Sequence, residues 1–417
     1  MFEWSEEQLM VREAVRQFVN AEVRPKLDEL EHGDLAPYDI LRKLYRTFGL
    51  DAMARDTFTR RLTRDKATAD ALSRGEEPPE RERTGMGGVD TTTSAFALLP
   101  IIELCRVSPG IVAAMGVSLG LAAGTIMSRG TIEQKERWAL DLLTLEKIGA
   151  WAITEPESGS DAIGSMKSVA RRDGDEYVLN GSKTFITNGP FADTIVYYAK
   201  LDDGNDPRDR QVLTFVLDRG LPGLEQSPPL RKMGLHSSPT GQLFLSDVRV
   251  GRDRLLGGTE DEINGGGRAS AKENFVFERA GVAAMSLGVI EECIALSVDY
   301  AKNRVQFGKP IGDFQLIQLK LAKMEVARLN VQNLVFRTLE MQAAGRLPTL
   351  AEASAMKLYA AQAATDVAME AVQLFGGNGY MAEYRVEQLA RDAKSFQIYA
   401  GTDEIQVTHI ARDLLGR

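Results

Sequence analysis

The segment Trp151–Asn188 contains the side chains that a polar ligand would need. It opens with a short apolar run, continues into an acidic, Gly/Ser-rich turn at 155–161, and then becomes β-rich. Hydroxyls such as those of Thr154 and Ser160, next to flexible glycines at a strand end, suit a ligand that needs hydrogen-bond donors and close backbone approach. The same pattern is also typical of a β-hairpin with a polar loop and a type I′ turn at Asn180-Gly181. The pattern alone leaves both interpretations open.

Three further segments carry candidate site residues, and each has an ordinary structural alternative. Glu278 lies among apolar residues, which would raise the pKa of its carboxyl, but it could equally form an ion pair with Arg279 or lie on a helix surface. Arg304 has the guanidinium fork that suits a pyrophosphate, although such a residue more often forms a surface ion pair. The glycines of Gly376-Gly377 could simply end a helix.

The composition of the 417-residue chain is that of a soluble globular protein, with 44% hydrophobic and 26% charged residues. A chain of this length can bury a large core and should divide into two or three domains or layers. The net charge of −9 gives no reason to expect a nucleic acid or an anionic membrane as a partner. The only cysteines, Cys105 and Cys293, cannot form a disulfide framework and indicate a reducing compartment. The three histidines are far apart in sequence and lack metal-ligand spacing, so we expect no metal site.

The pattern of residues 1–150 predicts a helical domain. Ser5, followed by two glutamates, predicts a helix start, and no signal-peptide pattern precedes it. The stretch 55–90 is dense in nearly balanced charge, which predicts a solvated helix or a partly disordered excursion rather than a polyanion-binding arm. The uncharged run 107–128 is long enough to span a membrane. Its spaced glycines and the absence of a polar face favour a buried core helix, so we expect no membrane insertion.

From 151 to about 260 the hydrophobic period becomes that of strands, separated by clusters of Gly, Pro and Asp. Several short strands without helices between them predict an antiparallel barrel or sandwich. Long helical patterns return from 261 and continue to 417. The sequence therefore predicts an α+β protein with a helical domain at each end and a β-domain in the middle.

The sequences TEPESGSD (154–161) and NGSKTFITN (180–188) resemble the flavin-binding segment of the acyl-CoA dehydrogenase family. The resemblance covers nearly the whole chain. It implies that family's fold, with an N-terminal helical domain, a middle antiparallel β-domain and a C-terminal four-helix bundle; the stretch 55–90 is then an insertion. It also implies FAD as the cofactor. The matching positions that would lie at the FAD are Trp151, Ile153, Thr154, Gly159, Ser160, Phe185, Thr187, Arg304, Gln306, Phe307, Gln315, Gln373, Gly376, Gly377, Thr402 and Glu404.

The resemblance also implies where the catalytic base lies. Many family members carry a base glutamate in a Tyr-Glu-Gly-Thr motif, but here the motif reads Tyr399-Ala400-Gly401-Thr402 and has no carboxylate. Isovaleryl-CoA and long-chain members place the base in a Glu-Arg motif on an earlier helix, which Glu278-Arg279 matches. Ala400 would still supply a backbone N–H to the thioester oxygen. The positions assigned to the substrate are Ser160, Phe275, Arg279 and Gly401.

The predicted activity is FAD-dependent α,β-dehydrogenation of an acyl-CoA to the trans-2-enoyl-CoA, with electrons passing to an electron-transfer flavoprotein or a similar acceptor. In the family, the loop that matches 373–380 reaches a neighbouring subunit's cofactor, which implies a homotetramer built as a dimer of dimers. Two alternatives remain: a sister flavin oxidase or monooxygenase on the same fold, and a non-catalytic subunit that binds acyl-CoA or a partner. The expected location is a bacterial cytoplasm, with an organelle matrix as the alternative.

Overall fold

Helices occupy both ends of the chain and a seven-stranded sheet its middle in the computed structural model, which describes residues 3–76, 91–260, 266–346 and 348–416. This arrangement confirms the predicted α+β class with its helical, β and helical order. The largest hydrophobic core joins the N-terminal and C-terminal helices, and a second core lies within the sheet.

The N-terminal helices begin and end at residues with recognisable capping chemistry. Ser5 caps the first helix: its side chain accepts from the Gln8 N–H, while the Gln8 side chain accepts from the Ser5 N–H. Gly49, at φ +64°, separates the third and fourth helices. The helices are α1 (Glu6–Phe18), α2 (Leu27–His32), α3 (Tyr38–Thr47), α4 (Leu50–Ser73), α5 (Thr91–Cys105), α6 (Pro109–Gly116), α7 (Gly124–Arg129), α8 (Ile132–Gln134) and α9 (Leu140–Leu143).

The charged stretch predicted at 55–90 is helical as far as Ser73, because α4 continues through it. Residues 77–90 of the stretch lie outside the described residues. The helix α4 is docked on the fold rather than projecting from it. Phe58 is buried, Lys66 pairs with Glu136 at 2.7 Å, and Asp65 accepts from Lys135 at 2.8 Å. Charged side chains on this helix therefore attach it to the neighbouring helices.

Two helical stretches, Pro109–Arg129 and Glu278–Asn303, are long and apolar enough to cross a membrane by length and composition. In each, 67% of the most apolar window is buried inside the protein. Burial of this extent is typical of core helices, whose apolar faces are covered by other helices on several sides.

The sheet consists of β1 (Gly149–Ala152), β2 (Val169–Asp173), β3 (Glu176–Thr187), β4 (Thr194–Leu201), β5 (Val212–Asp218), β6 (Leu224–Gln226) and β7 (Thr240–Gly251). The strand order is β1-β4-β2-β3-β7-β6, and β5 lies on the other edge of β4. Antiparallel pairs dominate, as predicted, but β1 and β2 both run parallel to β4. β1 pairs with the first half of β4 and β2 with its end, so the C-terminal end of β1 points towards β2.

The predicted hairpin turn at Asn180-Gly181 is wrong. Both residues lie inside β3, which continues to Thr187 with a break in its register against β7. Gly181 is needed there because a Cβ would lie 2.4 Å from the Ser168 Oγ. The hairpin turn is instead at Gly174-Asp175, between the paired residues Asp173 and Glu176, and Gly174 has φ +64°.

The C-terminal helices are α10 (Gly266–Asn303), α11 (Gln315–Ala343), α12 (Leu350–Phe375), α13 (Val386–Phe396) and α14 (Asp403–Leu414). A small hairpin of β8 (Val305–Gln306) and β9 (Lys309–Pro310) separates α10 from α11. The central helix α10 packs against α11, α12, α13 and the N-terminal α5. It therefore holds the two ends of the chain together.

Candidate active site

A buried ion pair supports the loop that follows β1. The Lys183 side chain is 0% exposed, and its Nζ donates to the Ile153 carbonyl at 3.1 Å and to the Glu155 Oε1 at 2.8 Å. The Glu155 carboxylate also accepts from the backbone N–H groups of Lys167 and Ser168. Burial lowers the pKa of Lys183 to about 8, although Glu155 opposes this shift. Glu155 itself has a pKa below its ordinary value, because Lys183 and these N–H groups outweigh the cost of burial.

β3 runs beside this loop and presents an aromatic side chain to the exterior. The Thr184 N–H donates to the Thr154 carbonyl at 2.9 Å, which joins the two segments assigned to the cofactor. Phe185 follows at φ +57° with 68% of its surface exposed, where the register of β3 against β7 shifts. Holding a phenylalanine in this left-handed conformation costs roughly 1–3 kcal/mol, and such strain concentrates at functional sites.

The remaining residues predicted on this side differ in their exposure. Ile153 is buried and Thr154 half-buried, whereas Gly159 and Ser160 are exposed on the loop. Thr187 is half-buried and pairs with Thr240 of β7.

An aromatic contact connects β1 to α10. The Trp151 ring packs edge-on against Phe275 with centroids 6.0 Å apart, and its Nε1 donates to the Tyr198 hydroxyl at 3.2 Å. Phe275 lies one turn before Glu278 on α10. The predicted cofactor segment and the predicted base therefore lie next to each other.

Glu278 has the environment expected of a carboxyl base. Its side chain is half-buried, and no hydrogen bond or salt bridge to it is found within the described residues. Desolvation raises the pKa of Glu278 to about 7, although Arg279 and Lys357 oppose the shift. The alternative of an ion pair with Arg279 is not observed, because the Arg279 guanidinium donates elsewhere.

Arg279 joins α10 to the turn before α14. Its Nε donates to the Ala400 carbonyl at 3.1 Å, and its Nη1 donates to the Ser354 Oγ at 3.0 Å. The guanidinium also lies over the Phe275 ring, 5.6 Å from the centroid. Arg279 is 2% exposed, so these contacts satisfy a buried charge.

The turn at Ala400-Gly401 is left-handed at both residues, with φ of +56° and +88°. The positive φ of Gly401 favours glycine, and a Cβ there would lie 2.8 Å from the Gln406 Nε2 and displace a side chain that donates to the turn. Both carbonyl oxygens of the turn accept hydrogen bonds, whereas no acceptor for the Ala400 N–H is found within the described residues. This N–H is therefore available to a bound oxyanion. Thr402 follows as the N-cap of α14, and Glu404 is exposed in that helix's first turn.

A second group of predicted cofactor residues lies at the far end of α10. About 38 Å of helix separates Glu278 from Asn303, at 1.5 Å per residue. Beyond it, Phe307 is 93% exposed at the tip of the β8–β9 hairpin. The exposed members of this group are Arg304, Gln306, Phe307, Gln315, Gln373, Gly376 and Gly377.

Tyr300, in the last turn of α10, contacts the end of α12 and the loop that follows it. Its ring stacks on Phe375 at 4.0 Å, and its hydroxyl donates to the Phe375 carbonyl and accepts from the Asn378 Nδ2. The structure thus gathers the predicted residues into two separate groups, one at Glu278 and one beyond Asn303. The C-cap interpretation of Gly376 is also correct, since it ends α12 at φ +63°.

Sequence reasoning missed four buried polar residues that support the site. Lys183 lies within the sequence NGSKTFITN, but a lysine in a strand pattern does not indicate burial. Asn188 donates to the Ala114 and Gly149 carbonyls at 2.9 Å each and so joins the N-terminal helices to β1. Lys357 and Gln406, both 0% exposed, donate to the Ala400-Gly401 turn. A lysine and a glutamine on helices carry no pattern that predicts such contacts.

Comparison with known proteins identifies the family. Profiles described as acyl-CoA dehydrogenase N-terminal, middle and C-terminal domain match residues 5–56, 150–248 and 265–415. An acyl-CoA dehydrogenase of Bacillus subtilis is 35% identical over 412 residues, which cover 99% of each chain. The chain belongs to the acyl-CoA dehydrogenase family.

Solved structures of acyl-CoA dehydrogenases have the same fold. The butyryl-CoA dehydrogenase of Megasphaera elsdenii superimposes with a TM-score of 0.81 at 32% identity, covering 100% of both chains. A glutaryl-CoA dehydrogenase of Mycobacterium smegmatis, solved in complex with FADH2, has a TM-score of 0.78 at 25% identity and covers 99% of this chain and 95% of its own. Family members are FAD-dependent oxidoreductases, and this acyl-CoA dehydrogenase uses the same cofactor.

The residues of this acyl-CoA dehydrogenase fit a flavin. An exposed aromatic ring at Phe185 and the hydroxyl of Thr154 lie on adjoining segments. The Ala400 N–H, which has no acceptor among the described residues, lies on the turn that Arg279 connects to α10, next to Glu278. An apolar surface beside a few directed polar groups is what a flavin ring and a thioester require.

Proposed function

We propose that Glu278 is the general base of this acyl-CoA dehydrogenase. The observation that carries the proposal is the half-buried carboxyl with a pKa raised to about 7, one residue from the arginine that binds the Ala400 carbonyl. A base with a pKa near the working pH is in the ionised form often enough to act and still binds a proton well. Ala400 offers no carboxylate that could compete for this role.

The reaction is the removal of two hydrogens from the α- and β-carbons of an acyl-CoA thioester. Glu278 takes the α-proton on its carboxylate while the Ala400 N–H donates to the thioester oxygen, where negative charge develops. FAD, when bound, supplies the acceptor for the hydride that leaves the β-carbon. The electron pair of the broken α C–H bond becomes the new double bond, and the product is the trans-2-enoyl-CoA. Phe275, Arg279, Gly401 and the exposed Ser160 are the residues proposed to contact the substrate.

The second group of cofactor residues is proposed to serve a neighbouring subunit. Arg304 follows the end of α10, about 38 Å along the helix from Glu278, and Gly376 ends α12 beside Phe375, on which Tyr300 of that end of α10 stacks. The two groups therefore cannot both contact the same reacting centre in one chain. The helix α11 also exposes an apolar face: Leu316, Leu319, Val326 and Leu329 are each at least 46% exposed. A second copy covering this face would be the first step towards a dimer of dimers.

The proposed electron acceptor is an electron-transfer flavoprotein or a similar carrier. The proposed location is a bacterial cytoplasm, since the buried Cys105 and Cys293 are both free thiols.

An anaerobic panel of acyl-CoA thioesters tests the function. We expect loss of the oxidised flavin absorbance with at least one saturated acyl-CoA, and none with the Glu278→Gln variant within the same time. Admission of air after reduction separates a dehydrogenase, which reoxidises slowly, from an oxidase or monooxygenase, which reoxidises at once. A protein that binds acyl-CoA but never loses its flavin absorbance would contradict the assignment and support a non-catalytic subunit.

A further inference from the structure

The oxyanion donor proposed above lies on a turn whose conformation is not favourable by itself. Ala400 has φ +56°, a region that residues other than glycine, asparagine and aspartate rarely occupy. Such a conformation persists only where surrounding contacts hold it.

Three buried side chains converge on the two carbonyl oxygens of this turn. Gln406 donates through its Nε2 to the Ala400 carbonyl at 2.9 Å and to the Gly401 carbonyl at 2.6 Å. Lys357 donates through its Nζ to the Gly401 carbonyl at 2.9 Å and lies 3.4 Å from the Asp403 Oδ1. Arg279 contributes the remaining contact to the Ala400 carbonyl at 3.1 Å.

These donors come from three different helices, since Arg279 lies on α10, Lys357 on α12 and Gln406 on α14. Each peptide plane is rigid, so contacts to the Ala400 and Gly401 carbonyls fix the two planes that follow Ala400. The Ala400 N–H lies on the plane before them, and once those planes are fixed only the φ and ψ of Ala400 set its direction. We propose that Lys357 and Gln406 are positioning residues that hold the Ala400-Gly401 turn in its left-handed form and thereby direct the Ala400 N–H at the thioester oxygen. The inference rests on the proposed function, because only that reaction needs the N–H in this place.

Lys357 and Gln406 differ in charge, and this difference separates an effect on the turn from an effect on the base. Lys357 is charged and lowers the pKa of Glu278, so replacing it changes both the turn and the base. Gln406 is neutral, so replacing it changes only the hydrogen bonds to the turn. An effect shared by both variants therefore reports on the turn.

The test uses acetoacetyl-CoA, whose α-proton is acidic enough to leave without oxidation. Its bound enolate is measured by absorbance over a range of pH on the flavin-loaded holoenzyme, so the readout is not turnover. In Gln406→Met and Lys357→Met, we expect the pH midpoint for enolate formation to rise by about one unit. This corresponds to a tenfold decrease in the equilibrium constant for ionisation of the bound acetoacetyl-CoA. With a saturated acyl-CoA, kcat should fall by about tenfold or more while KM changes much less, because the donor acts on charge that develops in the transition state.

Gln388→Met is the matched control. Gln388 is also a buried glutamine with two acceptors, the Val107 carbonyl and the Asp392 carboxylate, but it does not contact the turn. It should lower the thermal midpoint of unfolding about as much as Gln406→Met while leaving the enolate midpoint unchanged. The milder Gln406→Asn retains the amide on a shorter side chain and should give an intermediate shift, which keeps the test available if Gln406→Met does not fold.

The inference would be overturned if the Gln406 variants had the enolate midpoint of wild type and lost as much stability as Gln388→Met. Gln406 would then have a purely structural role. A wild-type protein that neither stabilises the enolate nor loses flavin absorbance with any acyl-CoA would overturn the proposed function itself. The two failures are therefore distinguishable.

Discussion

Arg279 donates to the carbonyl of Ala400 across 121 residues of sequence, and this contact places the proposed base next to the proposed oxyanion donor. Glu278 precedes Arg279 on α10, and Ala400 lies on the turn that leads into α14. The absence of a carboxylate at Ala400 and the presence of one at Glu278 therefore concern the same site. In the proposed reaction, one helix supplies the carboxylate and a distant turn supplies the backbone donor.

Replacing Glu278 with glutamine should lower turnover by at least about a hundredfold, the low end for loss of a general base. The amide is nearly the same size but cannot accept the α-proton. Flavin content and the thermal midpoint should stay close to those of wild type. Steady-state rates with the best acyl-CoA, together with the ratio of flavin to protein absorbance, measure both. Near-normal turnover in this variant would place the base elsewhere.

The activity should increase with pH around neutrality. The pKa of Glu278 is raised to about 7, and only its ionised form can accept a proton, so kcat/KM for the free enzyme should rise as pH passes through this value. The stability effect has the opposite sign. Folding favours the protonated carboxyl, so its contribution to the free energy of unfolding is full below the ordinary pKa of 4.5 and is lost as pH rises through about 7.

Rate profiles from about pH 5 to about pH 9 and denaturant unfolding over the same range check the two trends. The Glu278→Gln variant should lack this component of the stability slope. A flat kcat/KM profile across neutrality, with the protein folded throughout, would rule out a base with this pKa.

Replacing Arg304 with alanine should weaken flavin retention without affecting the fold. Arg304 is exposed, so its loss removes no buried contact, but a pyrophosphate in a neighbouring subunit would lose a charge-assisted hydrogen bond. Flavin released on dilution and the oligomeric mass measured by light scattering should change together. Arg60→Ala on α4 is the control, because Arg60 is also exposed and forms an ion pair with Asp56 of the same helix. A stable, fully flavinated monomer would contradict the shared site.

Replacing Lys183 with methionine should destabilise the protein and release flavin. The substitution leaves the buried Glu155 carboxylate without its cation, and breaking a buried pair in this way typically costs about 3–5 kcal/mol. Adding Glu155→Gln should recover part of the loss, because no unpaired charge then remains. Lys167→Met is the control, since the ion pair that Lys167 forms with Glu157 is exposed. Unfolding in denaturant gives the free energy of unfolding of each variant. We expect the largest loss in Lys183→Met, a smaller loss in the double variant and the smallest in Lys167→Met. A loss in Lys167→Met equal to that in Lys183→Met would contradict the role of the buried pair.

The sequence-based prediction of the hairpin turn is wrong because a contact with a residue distant in sequence outweighs the local turn propensity. Asn180-Gly181 has the composition of a hairpin turn, but Ser168 packs against Gly181 and the strand continues. The true turn at Gly174-Asp175 has an equally local signal. Turn propensity acts over a few residues, whereas pairing of β3 with β7 involves most of its length, and the longer interaction prevails.

The sequence alone is enough to predict the order of the three domains, the family, and a candidate base at position 278 where position 400 has no carboxylate. These are properties of residue type and hydrophobic period, which a single chain displays directly. Which side chains meet depends on how the helices and strands pack against one another. Hydrophobic period shows that one face of a helix is buried, but it does not show which other element covers that face. The contacts of Arg279, Lys357 and Gln406 with one turn depend on the packing of α10, α12 and α14 around it, and that packing exists only in the folded chain.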